Sequence, residues 1–268
     1  MGDALERGRE VLERDGGAVE AAAEAVSSME SSGIFDAGRG GVLNLDGEVE
    51  LDCGIMCGRS LDYGAVVGVK RIENPVSLAR FILESSDGSA RILSREGAEK
   101  IAGKNGFSLV ENDQLVCERE RSRYRELLRK LENYHTSHPF LPSDDVPRGT
   151  VGCVARDRAG GLAAATSTGG TPMRPAGRVG DSALPGSGYY ASGSAACSAT
   201  GWGEAITASL LAGRSVDGVE AGGAPASVLC AALERMRTSI RNRDGRGATG
   251  GLILLDSEGS GAFAFSTP

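Results

Sequence analysis

Residues 149–170 read GTVGCVARDRAGGLAAATSTGG. Thr150–Asp157 and Gly161–Ser167 are two short β-rich runs joined by a Gly160-Gly161 turn, which predicts a hairpin. Side chains on both faces of each run are small or apolar, so the sheet is expected to be covered on both sides. Immediately upstream, HTSHPFLPSDDVPRG (135–149) carries three prolines and no periodicity, the signature of an exposed loop. An exposed loop therefore runs straight into a buried strand at Gly149-Thr150. The charge balance changes at the same bond: 19 Lys+Arg against 27 Asp+Glu before it, and 10 against 9 from Thr150 onward.

Working outward toward the N-terminus, residues 4–14 and 17–31 have apolar residues at helical spacing, broken at Gly16-Gly17. GVLNLDGEVELD (41–52) predicts a hairpin turning at Asp46-Gly47, Ala65–Val69 a short buried strand, and Pro75 the first turn of a helix. Ser94 is placed to cap a helix ending near Gly103. Residues 111–134 fit one helical stripe whose charged side reads as solvated surface. Toward the C-terminus, 169–194 reads as irregular. Helices are expected near 202–213 and 225–241, and GLILLD-SEGS-GAFAFS closes the chain as a hairpin. This order favours a layered α+β domain over a doubly wound parallel sheet.

Composition narrows the function. The chain of 268 residues has a net charge of -7, which disfavours a nucleic-acid partner, and no apolar run long enough to span a membrane. MGDALERGRE lacks a secretory apolar stretch, so the expectation is a cytoplasmic, disulfide-free protein with its six cysteines as buried or partly buried thiols. Cys53 and Cys57 form a lone C-x3-C without a second ligand pair. Gly97–Asn105 only superficially resembles a phosphate loop: its spacing is one residue too long and it lacks the Ser/Thr. The only histidines are His135 and His138, so a Ser-His-Asp triad or a histidine base is poorly supplied. Forty glycines, about 15% where ~7% is usual, point to tight turns and close backbone approaches.

An N-terminal amine is an alternative base, with a reference pKa of about 7.7–8.0. A threonine freed at a new N-terminus carries nucleophile and base on one residue. Gly149-Thr150 is the candidate bond, since glycine has no Cβ and its carbonyl is open to attack by the Thr150 hydroxyl. Taken alone, Thr150 reads better as β-branched strand filler.

Three segments resemble the plant-type asparaginases, also called the isoaspartyl peptidase family of N-terminal nucleophile hydrolases: PRGTVGCVARD (147–157), LAAATSTGGTPMRPAGRVGDSALPGSGYYAS (162–192) and SATGWGEA (198–205). GIFDAGRGGVLNLDGEVELDCGIMCG (33–58) and YGAVVGVKRIENPVSLAR (63–80) match the same family in order. The resemblance covers roughly residues 3–268. It implies a single domain with a four-layer αββα sandwich, lacking the family's first β-strand and His-Gly-Gly turn. It further implies self-cleavage at Gly149-Thr150 into an α chain (1–149) and a β chain (150–268), and a homodimer of αβ units.

The resemblance also implies roles. Thr150 is the nucleophile and Thr168 orients it. Thr200 and Gly201 hold the oxyanion. Arg178 clamps the substrate's α-carboxylate, and Asp181 with the Gly203 carbonyl holds its α-ammonium. The implied reaction converts L-asparagine to L-aspartate and ammonia, and hydrolyses isoaspartyl dipeptides through an aspartyl-Thr150 ester, with no cofactor. Residues 51–57 resemble a loop that holds a structural sodium by backbone carbonyls in some relatives. Asp36 stands where the family's F-N-A-G has asparagine, Cys57 where M-D-G has aspartate, and Arg59 near an asparagine found close to the nucleophile in some members. Two alternatives stay open: a non-catalytic or stalled precursor, and a glycosylasparagine hydrolase, whose usual TSTNG is TSTGG here. Without the resemblance, Arg178 and Asp181 read better as a structural ion pair, and Thr168 as a strand residue.

Overall fold

The structure is a computed structural model that describes residues 1–85, 88, 90–130 and 149–266. Two helices open the chain, α1 (Gly2–Glu13) and α2 (Ala18–Ser31), separated at the Gly16-Gly17 break. β1 (Leu51–Cys57) and β2 (Tyr63–Val69) follow, then α3 (Pro75–Glu84), β3 (Ile92–Ser94) and α4 (Arg95–Lys104). Two further helices, α5 (Asn112–Leu115) and α6 (Glu118–Arg129), precede β4 (Val151–Arg156) and β5 (Leu162–Thr168). The C-terminal part comprises β6 (Tyr189–Ala191), β7 (Ala195–Gly201), α7 (Gly203–Ser209), α8 (Leu211–Glu220), α9 (Pro225–Ser239), β8 (Gly250–Asp256) and β9 (Gly261–Phe265).

Among the described residues the strands form two sheets: one of five in the order β3-β2-β1-β5-β4, and one of four in the order β6-β7-β8-β9. Every pairing is antiparallel except β2 with β3. The sheets lie against each other through β4 and β5 on one side and β6, β7 and β8 on the other. α2 and α3 cover the outer face of the first sheet, and α8 and α9 that of the second. One apolar core sits under the first helices, centred on Val26, Ile55, Val66 and Leu78, and another under the last, centred on Ile206, Leu229 and Leu254. Gly54 shows why the sheets need glycine where they meet. A Cβ there would fall 2.1 Å from Cε1 of Tyr189, a fully buried ring contributed by the second sheet.

Several expectations are corrected. The 41–52 hairpin is reduced to a single Leu43↔Val49 bridge, because Asn44 Oδ1 accepts the Asp46 and Glu48 amides and tightens the turn. The stretch 51–57 is no loop. It is the central strand β1, and its backbone is engaged by β2 on one side and β5 on the other. The charged helix is broken at Val116-Cys117, and residues 131–134 at its end lie outside the described residues. The same holds for the loop from His135 to Arg148 with both histidines. The irregular 169–194 stretch contains β6, and the helix expected at 202–213 is split at Leu210, whose φ is 51°. β5 is buried throughout, whereas the sheet-edge strand β4 is only partly covered. Ser94 sits at the start of α4 without a side-chain capping bond. The cysteines are free, and Cys230 is exposed rather than buried. No helix among the described residues is long and apolar enough to cross a membrane.

Candidate active site

The register of β4 on β5 pairs Val151 with Ser167, which brings the next residues, Thr150 and Thr168, together at the end of the ladder. Thr150 donates its hydroxyl to Thr168 Oγ1 at 2.9 Å, and Thr168 Oγ1 also accepts the Gly170 amide at 2.9 Å. The turn after β5 therefore fixes Thr168, and Thr168 fixes Thr150. β7 faces this pair from the second sheet and ends at Thr200 and Gly201. All four residues line one cavity together with Gly149. Among the described residues, a Cβ built on Gly149 would meet only Thr200 Oγ1, at 3.9 Å, an ordinary contact, and its φ is not positive.

Arg178, Asp181 and Gly203 line the same cavity. Arg178 is not paired with Asp181: its Nε donates to Glu204 Oε1 at 2.9 Å. Burial alone would raise the Glu204 carboxyl, but the Arg178 hydrogen bond and charge together outweigh it and hold it below the ordinary carboxylate range. Among the described residues Nη1 and Nη2 of Arg178 have no hydrogen-bond acceptor, which suits them to a second carboxylate. Asp181, in a 3-10 turn (Asp181–Ala183), is buried, and its Oδ2 has no hydrogen-bond partner. Burial pushes its carboxyl up to about 7, against the pull of Arg178. Gly203 begins α7 between the two: a Cβ there would lie 2.6 Å from Arg178 Nη2 and 2.9 Å from Asp181 Oδ1. Glu204 was not singled out from the sequence, although it directly follows the T-G-W-G run.

A buried brace supports this end. Asp52 Oδ1 accepts the Gly68 amide at 2.9 Å, and Oδ2 accepts Arg174 Nη1 and the Gly180 amide, both at 3.1 Å. Arg174 also donates to the Arg178 carbonyl at 2.6 Å and to the Glu50 carbonyl. Asp52 and Arg174, both 1% exposed or less at their side chains, thus hold the loop 174–180 that delivers Arg178 and Asp181. Neither was read as part of the site, because sequence spacing gives no sign that they meet.

The departures from the family motifs separate in space. Asp36 lines the cavity; its Oδ1 accepts the Val42 amide at 2.9 Å, and burial pushes its carboxyl up to about 7. Arg59 lies elsewhere, donating to the Ala159 carbonyl in the β4–β5 turn, at the opposite end of β4 from Thr150. Cys57 is half-buried at the end of β1 and does not line the cavity. Arg123 of α6 does line it, although the charged helix was read as solvated surface. No group of three or more His, Cys, Asp and Glu among the described residues is placed to hold a metal ion.

The family model described as Asparaginase matches residues 1–268. An isoaspartyl peptidase/L-asparaginase from Xenopus laevis is 40% identical over 265 residues, covering 98% of this chain and 81% of its own. A plant-type L-asparaginase from Pyrococcus furiosus is 40% identical over 261 residues, covering 95% of this chain and 82% of its own. An isoaspartyl peptidase from Salmonella typhimurium is 38% identical over 271 residues, covering 100% of this chain and 83% of its own.

Proposed function

The chain belongs to the asparaginase family, and from that premise we propose that it is an amidohydrolase converting L-asparagine to L-aspartate and ammonia and hydrolysing isoaspartyl dipeptides. The observation that carries this reading is the Thr150–Thr168 hydrogen bond of 2.9 Å at the wall of a cavity that also presents Arg178 and Asp181.

In this reading the chain first cleaves itself at Gly149-Thr150, leaving an α chain (1–149) and a β chain (150–268) within one four-layer domain of the N-terminal nucleophile hydrolase type. The freed α-amine of Thr150 then takes the hydroxyl proton. Thr150 Oγ attacks the side-chain amide carbon, while the Thr200 hydroxyl and Gly201 amide stabilise the developing oxyanion. The C–N bond breaks, the departing nitrogen leaves with a proton, and an aspartyl ester remains on Thr150. Water then hydrolyses that ester and restores the hydroxyl. Arg178 forks onto the substrate's α-carboxylate, and Asp181 with the Gly203 carbonyl receives its α-ammonium. A site gripping both groups demands a free amino-acid head. The relatives' printed names favour asparagine and isoaspartyl peptides over glycosylasparagine. The αβ unit is proposed to pair into a homodimer.

The test is the denaturing mass of the purified chain, followed by turnover of L-asparagine, an isoaspartyl dipeptide and glycosylasparagine. Two fragments meeting at Gly149/Thr150, and hydrolysis of the first two substrates, are expected. An intact chain that hydrolyses none of them would overturn the reading.

A further inference from the structure

On α6 the residues Glu120, Arg123 and Leu127 recur at i, i+3 and i+7, so they share one face. Glu120 and Leu127 are buried, so this is the packed face, not the solvated one. Arg123 stands between them with its side chain only 33% exposed. Its nearest carboxylate oxygen among the described residues, on Glu120, is 3.7 Å from Nη1, longer than a hydrogen bond. Arg119 already occupies the other oxygen of Glu120 at 2.8 Å. The Arg123 guanidinium therefore reaches the cavity without a hydrogen-bond acceptor among the described residues.

The same cavity presents Arg123 and Asp36 as well as the proposed clamp for the substrate's head, Arg178 and Asp181, and Thr150 and Thr168 line it with them. Cleaving an isoaspartyl dipeptide releases an α-amino acid whose own carboxylate lies beyond the scissile bond. Ammonia, released from asparagine, has no such group.

We infer that Arg123 is a specificity-determining residue that receives the carboxylate of the departing amino acid, and so favours isoaspartyl dipeptides with a free C-terminus. The inference rests on the function proposed above and names the substrate class served by Arg123 in that cavity. A guanidinium suits this task because it offers a planar fork of donors and keeps its charge throughout the accessible pH range.

The experiment compares kcat/KM for isoaspartyl-leucine with that for isoaspartyl-leucinamide, whose leaving group lacks the carboxylate. L-Asparagine is measured alongside, on the wild-type chain and on Arg123→Gln and Arg123→Lys. The wild type should prefer the free acid over the amide by about tenfold, the order expected for one charge-assisted hydrogen bond at a partly exposed site. Arg123→Gln should erase that preference, and Arg123→Lys should keep part of it. Each ratio is taken within one protein, so incomplete folding of a variant cancels. The inference is overturned if Arg123→Gln keeps the wild-type ratio, or if the wild type shows no preference. Wild-type protein inactive on all three substrates would instead strike down the underlying function, and this inference with it.

Discussion

Asp52 lies directly across the β1–β5 ladder from Thr168, and its carboxylate reaches the amide of Gly180, between Arg178 and Asp181. One residue thus ties the hydroxyl that holds Thr150 to the loop that carries the proposed head-group clamp. Asp52→Ala would leave Arg174 buried without its carboxylate, which costs about 3–5 kcal/mol. A lower denaturant midpoint should therefore accompany a higher KM. Unchanged stability would show that the brace contributes little.

Thr150→Ala should yield a chain of unbroken mass with no detectable turnover, because the hydroxyl nucleophile is gone and, without cleavage, no α-amine is freed to act as base. Thr150→Ser should still cut, since it keeps both. Mass spectrometry under denaturing conditions decides the first outcome, and any turnover by the alanine variant would refute the assignment.

Gly203→Ala places a methyl group 2.6 Å from Arg178 Nη2 and 2.9 Å from Asp181 Oδ1. The fold has no other reason to resist, because residue 203 is in the first turn of α7, where alanine is a good helix former. KM for L-asparagine should rise at least about tenfold, as expected for losing one hydrogen bond to a charged group. The melting temperature should change little.

Asp181, with its carboxyl pushed up to about 7, is largely protonated below that pH when the site is empty. The ionised form is the one that attracts an ammonium. Inhibition by L-aspartate should therefore tighten as pH rises from about 6 to 8, and Asp181→Asn should flatten the trend. An inhibition constant is the suitable readout, since rates would also carry the titration of the Thr150 amine.

Glu30 gives a pH effect on stability rather than activity. It is fully buried between α2 and α3, accepts the Val76 amide at 3.2 Å, and leaves Oε2 without a partner. Burial pushes its carboxyl up from 4.5 to about 8. The native state therefore holds a proton that the unfolded chain releases. Stability from this group is fully present below about 4.5 and falls by up to about 1.4 kcal/mol per pH unit as pH rises toward 8. Urea unfolding of Glu30→Gln at pH 5 and pH 8 should show a shallower pH dependence than the parent.

The parts of the fold legible in the sequence are those set by local pattern. The helical spacing in 4–14 and 17–31, Pro75 at a helix start and the glycine turn at 160–161 all reappear in the structure. The missed elements depend on distant partners. Tyr189–Ala191 is a strand because β7 pairs with it and Gly54 leaves room for Tyr189. Leu210 interrupts its helix at a positive φ that its side chain does not announce. At the site, Thr150 stood out as the residue where an exposed loop meets a strand, whereas Thr168 was assigned only through family resemblance; two adjoining strands and one tight turn bring the two together. Arg178, Asp181, Thr200 and Gly203 were assigned through family resemblance, and the structure gathers them around one cavity. Asp52, Arg174 and Arg123 stayed hidden because charge in a sequence does not reveal which face of a strand or helix will be packed.

The strand order of the first sheet bears on what a break at residue 149 would mean for assembly. β3, β2 and β1 belong to the segment before that bond, and β5 and β4 to the segment after it, so the seam between the segments is the β1–β5 ladder from Asp52↔Thr168 to Cys57↔Ala163. Neither segment owns the whole of this first sheet: each would expose an unpaired strand flank if made alone. The two would be halves of one folding unit, fit to be inherited, expressed and renatured together, and a gene divided at this codon would encode two mutually dependent chaperones of each other's structure.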